Sequence, residues 1–407
     1  MLRLKPKSTL VSLILGSMIM FTSLGCDATQ SVAIEEEVVK IVNDEPLIPN
    51  IDEILTVNTE IANDNDENVL VYYENGIESD RVPLIIDSLH DGEIIVFFTT
   101  LPDLTLTQIE KVGEFSIGIY RSGARTEVEL IRALQTVNAT QNVIFAEPNY
   151  KSSAKIGSVK QLQSFSDNSW ANDKIALSLA HQTTQGSSDV IVAVIDTGID
   201  INHNDLSTHL WVNSNEVINN IDDDGNGFID DINGFDFINR DANIEDDNSH
   251  GTHVAGIVSY VAPNVKIMAL KALNQDGESS SRAVFSAINY AIANNADIIN
   301  LSFGGRGFNR LLRNAVRRAE RAGITIIAAA GNDGSDNDRR RGAVFPASFR
   351  NSNIIAVAAS DVQDNLASFS NFGSRNVDIS APGVEISSSV PGNSYASLSG
   401  TSMATPY

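Results

Sequence analysis

The stretch VIVAVIDTG, residues 190–198, is an unbroken apolar run that ends in an aspartate and a glycine-containing turn. Such a run is typical of a parallel β-strand that is covered on both faces. Apolar stripes at helical spacing alternate with further runs of the same kind, which lie at residues 267–270, 298–301, 324–330 and 354–359. Strands that alternate with helices predict an α/β fold, with a mostly parallel sheet and helices on both faces.

The run places Asp196 at the carboxyl end of its strand, where the functional residues of such sheets gather. Two more glycine-punctuated motifs follow it, HGTH at residues 250–253 and GTSMA at residues 400–404. Taken singly, each motif has an ordinary explanation, because an aspartate there is often a helix cap and most Gly-Thr-Ser triplets lie in loops. Together they supply an Asp, a His and a Ser in that chain order, which is a candidate nucleophilic triad.

The three motifs resemble those of the subtilisin-like serine proteases, which carry their triad in the order Asp, His, Ser. The resemblance implies that Ser402 is the nucleophile, that His250 is the general base, and that Asp196 holds the required tautomer of His250. A helix that begins near Ser402 would direct its backbone N–H groups at the negative charge of the transition state.

The same resemblance assigns three residues that would hold the oxyanion or the substrate. Asn332 follows the apolar run at 324–330 and matches the oxyanion-hole asparagine of the family. Its alternative interpretation is a turn residue, which is a common use of asparagine after a strand. Ser302 and Gly304 match the edge that pairs with an extended substrate by β-augmentation.

His253 lies three residues after His250, so the two histidines could be considered as a pair of metal ligands. Zincins, however, place their histidines four residues apart with a glutamate between them, and that glutamate is absent here. We therefore interpret His253 as a packed structural histidine.

The segment DDDGNGFIDD, residues 222–231, has the composition of a calcium loop. Oxygen-bearing side chains at alternate positions, a glycine for the sharp turn and a later acid are the pattern that Ca²⁺ sites use. The sequence therefore predicts a structural Ca²⁺ ion, and the alternative is a hydrated acidic loop. The candidate ligands are Asp222, Asp224, Asn226 and Asp230.

Residues 1–25 have the basic start and the apolar stretch of a secretory signal, and the apolar stretch is too short for a typical membrane span. The single cysteine, Cys26, follows Ser-Leu-Gly and resembles the lipidated cysteine of bacterial lipoproteins. We expect an exported protein, either a cell-envelope lipoprotein anchored to the membrane at Cys26 or a secreted one with an incidental cysteine. One cysteine allows no intramolecular disulfide.

The chain divides by composition into five parts. After the signal comes an acidic, poorly periodic stretch at 26–68, which predicts a solvated tether. Residues 69–150 predict a small α+β domain in βαβαβ order, with strands at 94–98, 115–120 and 143–145 and helices at 106–112 and 128–137. Residues 151–168 form a linker, and residues 169–407 carry the three motifs.

The segment 69–150 ends in AEPNY, residues 146–150, and this ending resembles the propeptide of secreted subtilisin-like proteases. The resemblance implies that the segment assists folding, acts as an intramolecular inhibitor and is cut away in the linker. A net charge of −24 argues against nucleic acid as a partner, because phosphate binding needs a basic surface.

The resulting prediction is an exported serine endopeptidase that hydrolyses proteins or peptides and is made as an inhibited precursor. A non-catalytic peptide-binding protein, a degenerate relative of such enzymes, is the alternative. That alternative arises because only five residues follow Ser402, too few for the buried helix that the family places there. We therefore expect the 407-residue polypeptide to be a fragment of a longer gene product, with low stability and little activity by itself.

Overall fold

The computed structural model describes residues 57–64, 67–74, 77–112, 115–154, 160–162, 164 and 168–407. The predicted signal, Cys26 and the tether up to residue 56 lie outside the described residues. Within the described part of the chain, none of the helices has the length and apolar character needed to cross a membrane.

A seven-stranded sheet forms the centre of the part that carries the three motifs, and all of its strand pairs are parallel. The predicted parallel sheet is thereby confirmed. In spatial order its strands are β10 (Gly234–Asp236), β11 (Lys266–Lys271), β9 (Ile191–Asp196), β13 (Ile298–Leu301), β14 (Thr325–Ala329), β15 (Ile354–Ser360) and β16 (Ile379–Pro382).

Helices cover both faces of this sheet, as strand β9 illustrates. Val192 and Val194 pack into one core cluster with helix α4 (His250–Val261), whereas Ala193 and Ile195 pack into another with helices α5 (Ser281–Ala293) and α6 (Arg310–Arg321). Alternate side chains of a strand point to opposite faces, so a strand between two helical layers must be apolar throughout. The unbroken apolar run at 190–195 reflects this burial on both faces.

A second sheet has five strands, all paired antiparallel. Four of them come from residues 89–153 and one from residues 278–280. Its spatial order is β12 (Glu278–Ser280), β7 (Val143–Ser153), β4 (Leu89–Phe98), β6 (Phe115–Arg121) and β5 (Leu106–Val112). Helix α1 (Glu127–Asn138) connects β6 to β7 and begins with a capping box between Thr126 and Glu129. The predicted strands at 94–98, 115–120 and 143–145 and the helix at 128–137 are confirmed.

The predicted helix at 106–112 is wrong, because these residues form strand β5, which pairs antiparallel with β6. The register shifts between Thr107 and Glu110, and Gln108 has φ +50°, so the strand contains a bulge. A bulge adds one residue and turns the two-residue spacing of a strand into a three-residue spacing. The bulge accounts for the three-residue step from 106 to 109 but not for the step from 109 to 112, and Ile109 is 47% exposed. The predicted βαβαβ order is replaced by three strands, a helix and a strand.

The first described residues form a three-stranded antiparallel sheet, here called the meander (residues 57–83), with strands β1 (Val57–Asp64), β2 (Glu67–Glu74) and β3 (Ile77–Pro83). The predicted tether at 26–68 is therefore wrong for residues 57–64 and 67–68. Val57, Thr59 and Ile61 alternate with polar residues, which is a strand pattern that the acidic composition obscures.

The described residues also contain three short α-helices and one small sheet. The helices are α2 (Ser169–Lys174), α3 (Leu177–Thr183) and α7 (Thr401–Ala404). The sheet contains β17 (Ile386–Val390), β18 (Ser394–Leu398) and β8 (Lys160–Leu162), which pair antiparallel. The residues predicted as a linker thus include the end of β7 and all of β8.

Helix α4 begins in direct contact with the end of β9, and two glycines make this approach possible. A Cβ on Gly251 would lie 2.1 Å from the carbonyl oxygen of Gly198 and 3.1 Å from Cβ of Asp196. Gly198 itself has φ +111°, a conformation that favours glycine. The first turn of α4 therefore rests on the backbone that follows β9.

Replacing Gly251 by alanine tests this packing. Alanine normally favours a helix over glycine, but here its Cβ would push α4 away from β9. We expect the free energy of unfolding to fall by about 3 kcal/mol, the order of an overpacking substitution. Urea unfolding measures it, with Gly323→Ala as the control because that Cβ meets no atom within 4 Å. The control should lose only about 1 kcal/mol, for its left-handed backbone. Equal losses in the two variants would contradict the close approach.

Candidate active site

Asp196 and His250 form a buried pair where β9 ends and α4 begins. Nδ1 of His250 lies 2.6 Å from Oδ1 of Asp196, and neither side chain is exposed. An ionised carboxylate accepts hydrogen bonds only, so Nδ1 carries the proton and Nε2 is the acceptor nitrogen of the neutral ring. Burial alone lowers the pKa of His250, but the charge and hydrogen bond of Asp196, with the charge of Asp246, outweigh it and raise that pKa.

Asp246 supports this pair and was missed from the sequence. Its carboxylate accepts the hydroxyls of Thr197 and Thr252 at 2.8 and 2.6 Å, and the backbone N–H groups of Ser249 and Thr252 at 2.9 Å each. It therefore caps the N-terminus of α4, where the N-cap residue Ser249 makes no side-chain cap of its own. An aspartate four residues before His250, ahead of an apolar helix, is the signal that could have identified it.

Ser402 lies at the N-terminus of helix α7, which packs against α4. Its hydroxyl donates to the carbonyl oxygen of Ser302 at 2.6 Å, and the Ser302 hydroxyl donates to the carbonyl oxygen of Ser402 at 2.9 Å. Nε2 of His250 is buried without a hydrogen-bond partner among the described residues. The structure therefore pairs Asp196 with His250 and directs the Ser402 hydroxyl to Ser302.

Asn332 stands beside Ser402 and holds the residue before it. Its Oδ1 accepts both the backbone N–H and the hydroxyl of Thr401, each at 2.8 Å. These two donors identify which end of the amide is the oxygen, so the NH₂ group of Asn332 is directed elsewhere. Asn332 follows the end of β14 and lies next to Ser402, where the sequence predicts a donor to the oxyanion.

Residues 151–154 lie as an extra strand between two segments, one at Gly304 and one at residues 277–280. These two segments are here called the edges of the cleft. Ser153 and Gly304 exchange backbone hydrogen bonds of 2.9 and 3.3 Å, and Ala154 donates to the carbonyl of Gly277 at 2.9 Å. On the same side, Lys151 to Ser153 pair antiparallel with β12. Of the two predicted substrate-binding residues, Gly304 therefore meets an extended chain here and Ser302 meets Ser402.

A cavity of about 220 Å³ opens beside Ser402. Its lining includes apolar surface from Phe303, Ala329 and Val344, together with Gly331 and Asn332. At its edge, the guanidinium of Arg306 lies 3.4 Å from the carboxylate of Asp333. The cavity is large enough to accept one side chain of a peptide that lies along Gly304.

The acidic loop at 222–231 brings together carboxylates that the sequence did not group. Glu216, Asp224 and Asp231 each offer an oxygen within 4.8 Å of the others. Of the predicted ligands, Asp224 belongs to this cluster, and Nδ2 of Asn226 donates to Asp224 and Asp231 at 3.1 and 3.0 Å.

The other two predicted ligands make different contacts. Asp222 accepts the backbone N–H groups of Asn226 and Gly227, and Asp230 accepts those of Asn219 and Asn220. Because these carboxylates bind loop backbone, the structure separates the predicted ligand set into a cluster residue, Asp224, and residues that shape the loop.

The chemistry of the Glu216, Asp224 and Asp231 cluster fits a divalent cation. Two of its three carboxylates are buried, Glu216 at 5% and Asp231 at 0% exposure. The donors that reach them are neutral, namely Nδ2 of Asn213 and of Asn226, the hydroxyl of Tyr290 and backbone N–H groups. Like charges in such proximity repel each other unless a cation is shared.

His253 is buried, as predicted for a structural histidine. Its Nε2 lies 3.1 Å from the carbonyl oxygens of both Ile386 and Ala396, so this nitrogen carries a proton. Burial, with a smaller effect from the charge of His250, lowers the pKa of His253 to about 3. The ring therefore joins α4 to β17 and β18 as a neutral donor.

Comparison with known proteins gives the following relatives. The sequence model of the Subtilase family matches residues 187–407. A thermophilic serine proteinase of Bacillus sp. (strain AK1) is 41% identical over 238 residues, which cover 56% of this chain and 52% of that protein. Subtilisin DY of Bacillus licheniformis is 37% identical over 54% of this chain and 74% of its own. Thermitase of Thermoactinomyces vulgaris is 37% identical over 60% of this chain and 80% of its own. The match thus spans about half of the first relative and about three quarters or more of the other two.

The low pKa of His253 predicts a pH dependence of stability. The unfolded chain protonates His253 near pH 6.5, whereas the folded protein keeps it neutral down to about pH 3. The contribution of neutral His253 to the free energy of unfolding is therefore fully present above pH 6.5. It is lost as the pH falls towards 3, by about 1.4 kcal/mol per pH unit.

Urea unfolding at pH 7.5 and 5.5 measures this effect in the wild type and in His253→Gln, which keeps a donor for the two carbonyls. Between pH 7.5 and pH 5.5, the free energy of unfolding should fall by about 1 kcal/mol less in the glutamine variant than in the wild type. An unchanged pH dependence in His253→Gln would show that the histidine is not buried neutral.

Proposed function

Because the chain belongs to the subtilase family, we propose that it is a serine endopeptidase in which Asp196, His250 and Ser402 hydrolyse peptide bonds of proteins or peptides. The observation that carries this proposal is the buried 2.6 Å contact between His250 and Asp196, which leaves Nε2 of His250 as an acceptor near the helix that bears Ser402. A base that is oriented and dry, beside a hydroxyl at a helix N-terminus, is the arrangement that activates a serine.

Catalysis begins when the Ser402 hydroxyl leaves the carbonyl of Ser302 and turns to Nε2 of His250. His250 takes the proton as Oγ attacks the peptide carbonyl, and Asp196 stabilises the resulting imidazolium. The proton then passes to the leaving amine, and an acyl group stays on Ser402. Water, activated by the same histidine, hydrolyses this ester. The raised pKa of His250 agrees with a ring whose cation is favoured by two carboxylates.

The negative charge that develops on the carbonyl oxygen needs fixed donors. The backbone N–H of Ser402 is one, because it lies in the first turn of α7, where helical N–H groups have no partner within the helix. The NH₂ group of Asn332 is the other, since Thr401 occupies the oxygen end of that amide. Donors that the fold holds in advance need no reorganisation during the reaction.

The substrate lies extended between residues 302–304 and residues 277–280, as residues 151–154 do in the precursor. Backbone hydrogen bonds to Gly304 and Gly277 hold the chain by β-augmentation. The cavity beside Ser402 takes the side chain next to the scissile bond. Because the same two edges already hold residues 151–154, the precursor is inhibited.

Residues 69–150 act in this proposal as a propeptide that inhibits the enzyme to which it is joined, and cleavage in the linker 151–168 releases it. The burial of Tyr150 and the contacts of residues 151–154 support this role. The protein is exported through residues 1–25, with a lipid anchor at Cys26 in the lipoprotein form. An inhibitor that is part of the chain keeps the protease inactive until export is complete.

A structural Ca²⁺ ion is held in this proposal by Glu216, Asp224 and Asp231. A bound ion would offset two of the three negative charges, and the loop at 222–231 is tied to helix α5 through Tyr290, which donates to Asp231. The effect of the ion is on the stability of the fold, because the cluster contains none of the triad residues.

The activity has a direct test. The full chain should be cut within residues 151–168 on incubation, and Ser402 should react covalently with a fluorophosphonate, because only an activated serine attacks that reagent at a useful rate. Gel electrophoresis with N-terminal sequencing measures the first result, and mass spectrometry of the labelled peptide measures the second. Ser402→Ala should show neither.

Ser389→Ala is a matched control, because Ser389 is a buried serine of β17 that donates to Asp205, away from the triad. It should cleave itself and take the label as the wild type does. Label at a residue other than Ser402 would place the nucleophile elsewhere, and no label on a folded chain would favour the non-catalytic peptide-binding protein.

Calcium binding has its own test, the melting temperature with Ca²⁺ and with a chelator. An ion that binds only the folded state at a hundredfold excess over its Kd adds about 2.7 kcal/mol, so the chelator should lower Tm by several degrees. Asp224→Asn should abolish the Ca²⁺ dependence. Asp222→Asn, outside the cluster, should retain it. Loss of the Ca²⁺ dependence in Asp222→Asn with retention in Asp224→Asn would place the ion at Asp222, outside the cluster, and indifference of the wild type to the chelator would refute the site.

A further inference from the structure

The meander buries more of its central strand than a small sheet on the surface would. Four consecutive residues of β2 are almost inaccessible: Val69, Leu70, Val71 and Tyr72, at 0 to 2% exposure. A strand with one face in water alternates buried and exposed side chains. Burial of all four means that both faces of β2 are covered. Leu70 and Tyr72 belong to the core cluster that also contains Phe308 and Leu311 of the catalytic part.

Tyr72 joins the meander to the N-terminus of α6. Its ring lies 5.4 Å from the ring of Phe308, and the guanidinium of Arg310 lies 5.7 Å from its centre. Its hydroxyl donates to the Glu147 carboxylate at 3.3 Å, and this carboxylate accepts the backbone N–H groups of Arg310 and Leu311. One tyrosine thus contacts β7 and the first turn of α6 together.

A second contact lies further along the same helix. Asp80 of β3 pairs with Arg313, whose guanidinium also lies 5.8 Å from the centre of the Phe308 ring. The two charged side chains are only 17% and 21% exposed, so salt screens this pair less than one at the surface. The meander therefore holds α6 through an aromatic contact and an ion pair.

We propose that the meander is an anchor: it binds the surface formed by Phe308, Arg310 and Arg313 and thereby keeps the end of β7 in the cleft. Glu147, at the anchored site, and Ser153, in the cleft, belong to the same continuous strand. Attachment at one end raises the effective concentration of the other end at its own site. The inhibitory segment consequently begins at the meander, before residue 69. That the segment is inhibitory rests on the proposed precursor role. The coupling between the meander and the end of β7 can be measured without an active serine.

Hydrogen exchange measures the coupling in the full chain carrying Ser402→Ala, which cannot cut itself. The readout is the peptide containing the amides of Ser153 and Ala154, which donate to Gly304 and Gly277. Arg313→Gln should speed its exchange about tenfold, a typical effect of losing a coupled contact. Arg321→Gln removes the same charge from the last turn of α6 and is the control; it should leave the exchange unchanged. Asp80→Arg combined with Arg313→Asp should restore protection.

Unchanged exchange at Ser153 and Ala154 in Arg313→Gln, with faster exchange in β2 and β3, would overturn the proposal, because the meander would then detach without loosening the cleft. If Arg313→Gln also speeds exchange in β9, the substitution has damaged helix α6 itself. Asp80→Asn then tests the same ion pair from the meander side. Failure of the proposed enzymatic activity would show separately, as absent fluorophosphonate labelling in the Ser402 chain.

Discussion

The contact between the end of β9 and the start of α4 is the constraint on which the active site depends. Because Gly251 has no side chain, the helix rests on the backbone at Gly198, and His250 comes within 2.6 Å of Asp196 in a dry environment. A buried carboxylate is expensive unless it is paired and hydrogen-bonded. Here the imidazole of His250 and the N–H of Thr197 both donate to Asp196. The same geometry that stabilises the buried pair also leaves Nε2 pointing away from Asp196, as the proposed role of His250 as a base requires.

The parallel sheet explains why residues far apart in the chain meet at one place. Strands β9, β13 and β14 are neighbours, and Asp196, Ser302 and Asn332 lie at or just beyond their carboxyl ends. Carboxyl ends of parallel strands share one edge of the sheet, so loops that follow them converge. Helix α7 then places Ser402 against this edge, with its hydroxyl on the Ser302 carbonyl and Thr401 on Asn332.

The sequence was sufficient for the sheet and for the strand or helix ends at which Asp196, His250 and Ser402 lie, because double burial and glycine-punctuated strand ends leave a clear local pattern. It was insufficient where the fold, rather than local spacing, makes the contact. Glu216 lies six residues before the acidic loop and reaches Asp224 only through the path of the chain. A bulge supplied one of the two three-residue steps that suggested a helix in β5, and an acidic composition hid β1 and the start of β2. The direction of the Ser402 hydroxyl is a rotamer choice, which no sequence pattern records.

Under the proposed propeptide role, the contact between β7 and α6 must later separate, and polar groups at its centre suit that role. At its centre is Glu147, where burial raises the pKa to about 7 against the opposing effects of the backbone N–H groups of Leu311 and Arg310. A carboxylate is tolerated there because the helix N-terminus supplies donors and a partial positive charge. Once β7 departs, water can solvate both the carboxylate and the helix end, so separation exposes polar groups that are stable in water. An apolar contact of the same size would favour permanent association. A removable inhibitor therefore needs its affinity distributed over polar contacts, and the helix end at Arg310 provides such a contact far along β7 from the cleft.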